Sequence, residues 1–452
     1  MTRRQAGVLA LAAITAVIAV VLVMAVGRGS SPAPAQSSPS ITFGTPLATP
    51  ANGKQTPPPV DVKALQRLAD ILTTMHQDAF NAQAPSTKGS SLPGGLFINW
   101  RGDWDGNLST ASDNTNVQTS GSSDDQTGAS PRHDPVVDLM YLRNLRAYMY
   151  YAPSDHSFDG DAARMDPIVR AEFAGYTYYR SWIYFQLRDL DMFQPHAGWD
   201  ALAQHFVQGV YHGFYNAAAG TIIDKSHNNY RTDFAAESAA AFADAGARYN
   251  DSALTSAAKS VTEHLLTYAQ DPNTHLYPLQ MNYQQGGDAV GQAQIKIGEQ
   301  AQTLDSLLTV YDHIRIPQIL TAVKAAVDEM YNPALGLQDA LNGGFFYSVD
   351  FDGKGLQSAY KESRQGWMVQ LLGHLNADAG GSQAQRLADM NSVVVNKMWQ
   401  NALHGYVYRT SDNWGVYTNH SGPNHTAVDE NFVTSEAMGI AGNVLAPSLV
   451  VP

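Results

Sequence analysis

Five places in the 452-residue sequence put an acid where an otherwise apolar helical pattern begins: Asp134 in Arg132-His133-Asp134, Asp233 in Arg231-Thr232-Asp233, Glu299, Glu362 in Lys361-Glu362, and the adjacent Asp429-Glu430. Two carboxyl groups flanking one bond, one kept protonated and one ionised, are what acid/base cleavage of a glycosidic linkage needs. Each position also has a structural reading. Asp134 before Pro135 has the form of an N-cap followed by proline in the first turn. Asp233 can pair with Arg231 or cap the helix after it. Glu299 follows Lys296 by three residues, the spacing of a solvated ion pair on a helix face. Asp429 and Glu430, being adjacent, cannot both face one spot on a helix. Glu362 stands apart, because it falls in a predicted helix of largely apolar residues, where a carboxylate turned inward is costly without a task. The expected catalytic pair is therefore Asp134 and Glu362, with Asp233 as reserve acid. Arg132, His133, Arg231, Lys361 and Asp429 are expected beside them as substrate-binding groups.

Flat rings in loops supply the other half of such a site, since the CH faces of a pyranose stack on them while polar neighbours bond its hydroxyls. Trp100 and Trp104, within Asn99-Trp100-Arg101-Gly102-Asp103-Trp104-Asp105, and Trp414, near Tyr417, are the candidates. Composition agrees: aromatic residues reach 10% against only 15% charged, a surface suited to neutral polar ligands. A formal charge of −13 speaks against nucleic acid as a partner, because phosphate neutralisation needs a basic face. The absence of cysteine excludes disulfides, thiolate metal sites and thiol nucleophiles. No His-Glu-x-x-His helix, phosphate-cradling glycine loop or Gly-x-Ser-x-Gly elbow occurs, so no metal or cofactor is expected. Calcium alone is left open, by Asp103-Trp104-Asp105-Gly106-Asn107 and Asp350-Phe351-Asp352-Gly353, neither of which completes an EF-hand loop.

The elements that must position these groups are helices. Apolar residues recur at helical spacing over 61–80, 134–151, 167–192, 199–212, 231–249, 251–269, 294–313, 317–331, 358–376, 382–400 and 426–445. Between them a short glycine-aromatic signature returns, at Gly94-Gly95-Leu96-Phe97, Gly213-Phe214-Tyr215, His275-Leu276-Tyr277, Gly343-Gly344-Phe345-Phe346-Tyr347 and Gly405-Tyr406-Val407-Tyr408. That spacing predicts about six units of roughly 60 residues, one of them degenerate near 150–161, each a helix, an aromatic turn or strand and a second helix. The fold class expected is all-α, an (α/α)6 toroid of helical hairpins whose acid-bearing starts converge on one mouth. An open helical solenoid is the alternative.

This toroid is expected over 60–446, with a short tail at 447–452. Residues 6–26 are uncharged and mostly aliphatic, long enough to span the roughly 30 Å core of a bilayer as a transmembrane helix. They follow Arg3 and Arg4, so the rest of the chain is expected outside that membrane. A cleaved signal peptide is the competing reading of 1–28. Segment 29–59, rich in Ser, Pro, Ala and Thr, reads as a disordered tether.

Helical hairpins in about six units, glycine-aromatic turns and acids entering the inner helices together resemble the six-hairpin glycosidase superfamily of (α/α)6 toroids. The likeness covers about 60–445. Ser363-Arg364-Gln365 after Lys361-Glu362 is similar to a helix start in the epimerase-like branch, and Asp124-Asp125 resembles the adjacent Asp pair of α-1,6-mannanase-like enzymes. The resemblance implies a carbohydrate ligand held at the mouth of the toroid. The function expected is an extracytoplasmic glycoside hydrolase that uses a carboxylate pair and touches the membrane only through its N-terminal helix. A sugar epimerase or isomerase, with His133 and His425 facing each other, and a non-catalytic glycan-binding envelope protein are the alternatives, since fold alone does not confer activity.

Overall fold

The computed structural model describes residues 62–80, 135–176, 180–224, 227–351, 355–401, 405–406 and 409–415. Trp100, Trp104, Arg132, His133, Asp134, His425 and Asp429, the pair Asp124-Asp125, the segments 6–26 and 426–445, and the calcium candidate 103–107 lie outside them. Among the described residues no helix is long and apolar enough to cross a membrane.

Eleven α-helices occur among the described residues. They are α1 (Val62–Phe80), α2 (Pro135–Tyr151), α3 (Asp159–Phe173), α4 (Trp182–Phe193), α5 (Trp199–Phe214), α6 (Thr232–Arg248), α7 (Ser252–His264), α8 (Ile297–Ile314), α9 (Pro317–Met330), α10 (Gln365–Asp378) and α11 (Ala384–Val393). Their ends are chemically marked. Asp251 caps α7 by accepting from the amides of Ala253 and Leu254 at 2.9 and 3.2 Å. Pro317 opens α9, and α8 stops where Arg315 turns left-handed.

Two predicted helices are redrawn. The one expected over 167–192 is two, α3 and α4. Phe173, Ile183 and Leu187 are fully buried on both sides of the break, so the apolar spacing runs on across it and Gly175 is the main punctuation. α3 also starts earlier than Pro167, at Asp159, and the degenerate unit expected near 150–161 is the turn that joins α2 to α3. The helix expected over 358–376 begins only at Gln365, because Lys361 and Glu362 are held as a strand paired to Thr410 and Arg409.

Short antiparallel ribbons connect the helices. β1 (Tyr215–Asn216) pairs with β2 (Thr221–Ile222), while β3 (Asn229–Arg231), β4 (Gln280–Asn282) and β5 (Ala289–Gln292) form a three-stranded sheet. A second one joins β6 (Gln294–Lys296), β7 (Ser348–Asp350) and β8 (Leu356–Ser358). β9 (Lys361–Glu362) pairs with β12 (Arg409–Thr410), and β10 (Trp399–Gln400) with β11 (Gly405–Tyr406). Three strands lead straight into helices: β3 into α6, β6 into α8 and β9, through Ser363 and Arg364, into α10. Because side chains alternate along a strand, these ribbons fix which residue faces which way at each helix start.

The helices form two layers. α2, α4, α6, α8 and α10 pack side by side in that order, and α3, α5, α7, α9 and α11 each fold back on the helix before them. Burial separates the layers: every residue from Thr232 to Gly246 of α6 is buried, whereas α9 buries the stripe Ile319, Val323, Ala326, Val327 and Met330. Fully buried Ala235, Ala236, Ala239 and Ala240 let the inner helices approach closely. The circle closes, because α1 packs on β11 and Arg67 lies over the Trp399 ring of β10 at 4.9 Å. An open solenoid would have kept those elements apart.

α6 and its outer partner α7 meet at Gly246, where a Cβ would stand 2.4 Å from Thr255 Oγ1 and 2.9 Å from its backbone nitrogen. Gly246→Ala is expected to lower stability by about 1–3 kcal/mol, the usual effect of overpacking. The check is the midpoint of urea unfolding, and an unchanged midpoint would mean that α7 shifts freely.

Candidate functional site

Three ribbon-to-helix junctions set a row of charges across the starts of α6, α8 and α10. Arg231, the last residue of β3, grips Asp233 twice, Nε to Oδ1 at 3.0 Å and Nη2 to Oδ2 at 2.6 Å, and its Nη2 is 3.6 Å from Glu299 Oε1. Arg364 donates from Nη1 to that same Glu299 oxygen at 2.6 Å, and its Nε is 3.8 Å from Glu362 Oε2. Asp233, Glu299 and Glu362 are buried, while the Arg231 and Arg364 side chains keep 22% of their surface. Gly298 makes this crossing possible: a Cβ there would lie 2.7 Å from Arg364 Cβ and Cδ. Burial pushes the Glu299 carboxyl up, but Arg364, then Arg231 and Lys296, outweigh it and bring it down to about 2. Glu299 is thus not the solvated partner of Lys296 that its spacing suggested, and the Lys296 ammonium sits 5.3 Å from the Tyr347 ring centroid.

Lys361 and Glu362, neighbours in β9, point to opposite faces of the strand. Glu362 faces the charge row. Lys361 is fully buried on the other side, donating to Asp339 Oδ2 at 2.7 Å and to the Gly343 carbonyl at 2.9 Å, with the Trp414 ring 4.4 Å away. Trp414 itself donates from Nε1 to the Asn342 carbonyl at 2.9 Å. Burial draws the Lys361 ammonium below the ordinary lysine value, against the support of Asp339. Of the expected site residues the structure therefore brings Arg231, Asp233 and Glu362 together, and sets Lys361 and Trp414 apart as a buried pair.

One turn beyond Asp233 on α6 is Glu237, which lines a cavity walled by α4, α6, α8 and α10. Trp182, Phe185 and Trp367 give that cavity flat surfaces, and Gln186, Gln302, Gln370, Ser306 and Thr309 give it neutral hydrogen-bonding groups. Glu237 Oε2 accepts from the Trp182 amide at 3.5 Å; Oε1 makes no hydrogen bond, and Arg180 Nη2 is 3.9 Å from it. Burial raises the Glu237 carboxyl, Arg180 opposes and Asp233 adds to the rise, leaving it at about 8. Sequence reasoning passed over Glu237, Trp182 and Trp367. The signal for Glu237 was present, since a glutamate inside the alanine run from Phe234 is as costly to turn inward as Glu362.

Towards the ends of the inner helices the same cavity is lined by Arg143, Arg188, Asp189, Asp305, Asp312 and His313. These groups are committed to one another. Arg143 pairs with Asp189 at 2.7 Å; Arg188 pairs with Asp244, which also accepts from the Tyr184 hydroxyl and lies 3.2 Å from His313 Nε2. His374 bonds Asp305 through Nδ1 and Asp312 through Nε2, both at 2.9 Å. Burial disfavours the imidazolium, yet those two hydrogen bonds prevail and push His374 up to about 10.

No protein-family model matches the sequence, and no curated protein matches it either. Solved structures do. The α-1,6-mannanase GH76A of Salegentibacter sp. HEL1_6 aligns with a TM-score of 0.55 at 10% identity, covering 86% of this chain and 99% of its own. The unsaturated glucuronyl hydrolase of Bacillus sp. GL1 aligns at 0.57 and 13% identity, covering 85% and 96%. A D-mannose isomerase aligns at 0.58 and 12% identity, covering 84% and 97%. At 10–13% identity these likenesses show the fold alone, that of an (α/α)6 toroid.

Proposed function

We propose that this protein acts on carbohydrate as a glycoside hydrolase, with Glu237 as its proton donor. One observation carries the reading: a buried carboxyl, raised in pKa and with one oxygen free of hydrogen bonds, stands in a cavity that also presents two tryptophans. Trp182 and Trp367 offer faces for a pyranose ring, and Gln186, Gln302 and Gln370 offer donors and acceptors for its hydroxyls. Glu237 would protonate the departing glycosidic oxygen. The ionised carboxylate required opposite it is assigned to Asp134, immediately before α2. Asp233 and Glu362 hold the electrostatic frame with Arg231 and Arg364, and Asp233 helps keep Glu237 protonated. Trp100, Trp104, Arg132, His133 and Asp429 complete the mouth in this proposal.

A mannanase of the same fold has been solved with α-1,6-mannotetrose, which supports an oligosaccharide as ligand. The basic start and apolar run of 6–26, followed by the tether at 29–59, support an extracytoplasmic position. The test is a glycan panel that includes α-mannan fragments and unsaturated glucuronides, read by release of reducing ends. Epimer or aldose–ketose interconversion without hydrolysis would assign the cavity to an isomerase; binding without turnover would leave a glycan-binding protein.

On a substrate so identified, Glu237→Gln should lower kcat by about 10²–10⁴-fold with little change in KM. The wild-type rate should fall as pH rises through about 8, because the donor must carry its proton. An unchanged kcat in Glu237→Gln removes it from the chemistry. Glu299→Gln leaves two guanidiniums without their shared anion and should cost about 3–5 kcal/mol at neutral pH. A depressed carboxyl stabilises the fold above its unfolded value of 4.5 and loses that contribution as pH falls towards about 2. Urea unfolding should therefore show wild type and Glu299→Gln converging in stability across that acid window.

A further inference from the structure

Where α8 and α10 end, away from the Glu237 wall, a histidine and three acids meet. His374 and Asp378 are one turn apart on α10, and Asp312 is in the last turn of α8. His374 Nε2 lies 2.9 Å from Asp312 Oδ2 and 3.8 Å from Asp378 Oδ2, and one donor atom from each residue falls within 4.8 Å of the others. Metal bonds of about 2.0–2.2 Å put neighbouring donor atoms roughly 3–3.5 Å apart, so a small adjustment of these side chains lets all three reach one ion. Behind them His374 Nδ1 bonds Asp305 Oδ1 at 2.9 Å. A carboxylate in that position fixes the ring and its tautomer and turns Nε2 towards a metal.

His374 is set against three carboxylates, and two features leave room for a divalent ion in place of its Nε2 proton. Asp378 Oδ2 is shut off from solvent, makes no hydrogen bond and stands 3.8 Å from His374 Nε2. Asp312 and Asp378 also stand at helix C-termini, where the dipole disfavours anions and favours cations. The last turn of α10 contains no basic residue, and Arg315 comes no nearer than 3.8 Å to Asp312 Oδ1.

We propose that Asp312, His374 and Asp378 bind one divalent transition-metal ion of the zinc or manganese class, which takes the place of the proton between His374 Nε2 and Asp312 and releases it to solvent, with Asp305 orienting His374. One imidazole and two carboxylates suit such ions, whereas calcium prefers an all-oxygen shell. The ion would brace the ends of α8 and α10, and the proposal does not rest on the carbohydrate reading.

The full chain, stripped with chelator, is titrated with zinc chloride and separately with manganese chloride by calorimetry, and bound metal is counted by elemental analysis. One ion per chain and a raised Tm are expected with at least one of the two metals. Asp378→Asn should weaken binding at least about tenfold, and Asp305→Asn about 10–100-fold, the usual effect of losing a histidine-orienting carboxylate. Metal-free Asp378→Asn should unfold at no lower a temperature than the metal-free wild type, which separates a lost ligand from a lost fold. Glu237→Gln should bind metal like the wild type, so failure of the catalytic assignment and failure of this site are distinguishable. Absence of stoichiometric binding of either metal to the wild type, or an affinity that Asp378→Asn leaves unchanged, overturns the proposal.

Discussion

The Glu299 carboxylate is the interaction on which the mouth of the ring depends. One of its oxygens receives Arg364 and faces Arg231, so two like charges are held together over the starts of three neighbouring helices. Taking an anion this deep out of water costs several kcal/mol, and only partners already in place offset it. Those partners come from ribbons, β3 and the turn after β9, and not from the helices themselves. Once Arg231 is fixed, Asp233 is fixed one turn from Glu237, and the negative charge it brings adds to burial in keeping the Glu237 proton. The acid that faces the cavity is thus set by one that does not.

The cavity has two electrostatic characters. Near the helix starts it offers a carboxyl raised by burial, aromatic walls and neutral amides. Near the helix ends it is lined by ion pairs whose members are tied to each other, with buried His374 at the centre of one group. The helix dipoles set opposite demands at the two ends, anions being stabilised at the starts and destabilised at the finishes. Acids at the starts are therefore easy to account for, and those at the finishes are the unusual ones.

Much of the architecture was legible in the sequence, because the repeat is written in glycine-aromatic turns and the helices in apolar spacing. α5 and α9 fall almost where their patterns place them, bounded by Gly198 and Pro317. The division of 167–192 was not legible, since buried Phe173 and Leu187 continue one spacing across two helices. The burial of Lys361 away from Glu362 was not legible for a different reason: its orientation follows from strand pairing to Thr410, a contact no local pattern reveals. Arg231, Asp233 and Glu362 come from asking which acids and bases sit at helix starts, and the structure sets them side by side. Glu237 was missed because that question stops at the first turn, although the alanine run around it already showed that no side of α6 reaches water.

The clasp of Arg67 on Trp399 joins the two extremes of the described chain. A protein made from one end to the other therefore presents an unfinished arc for most of its synthesis, with alanine-lined helices on its open edge and nothing to cover them. Contacts between residues so distant along the chain are slow to form, and exposed edges invite association in the meantime. Assembly of this architecture is governed less by how well any one hairpin folds than by how long the arc can wait for its last member.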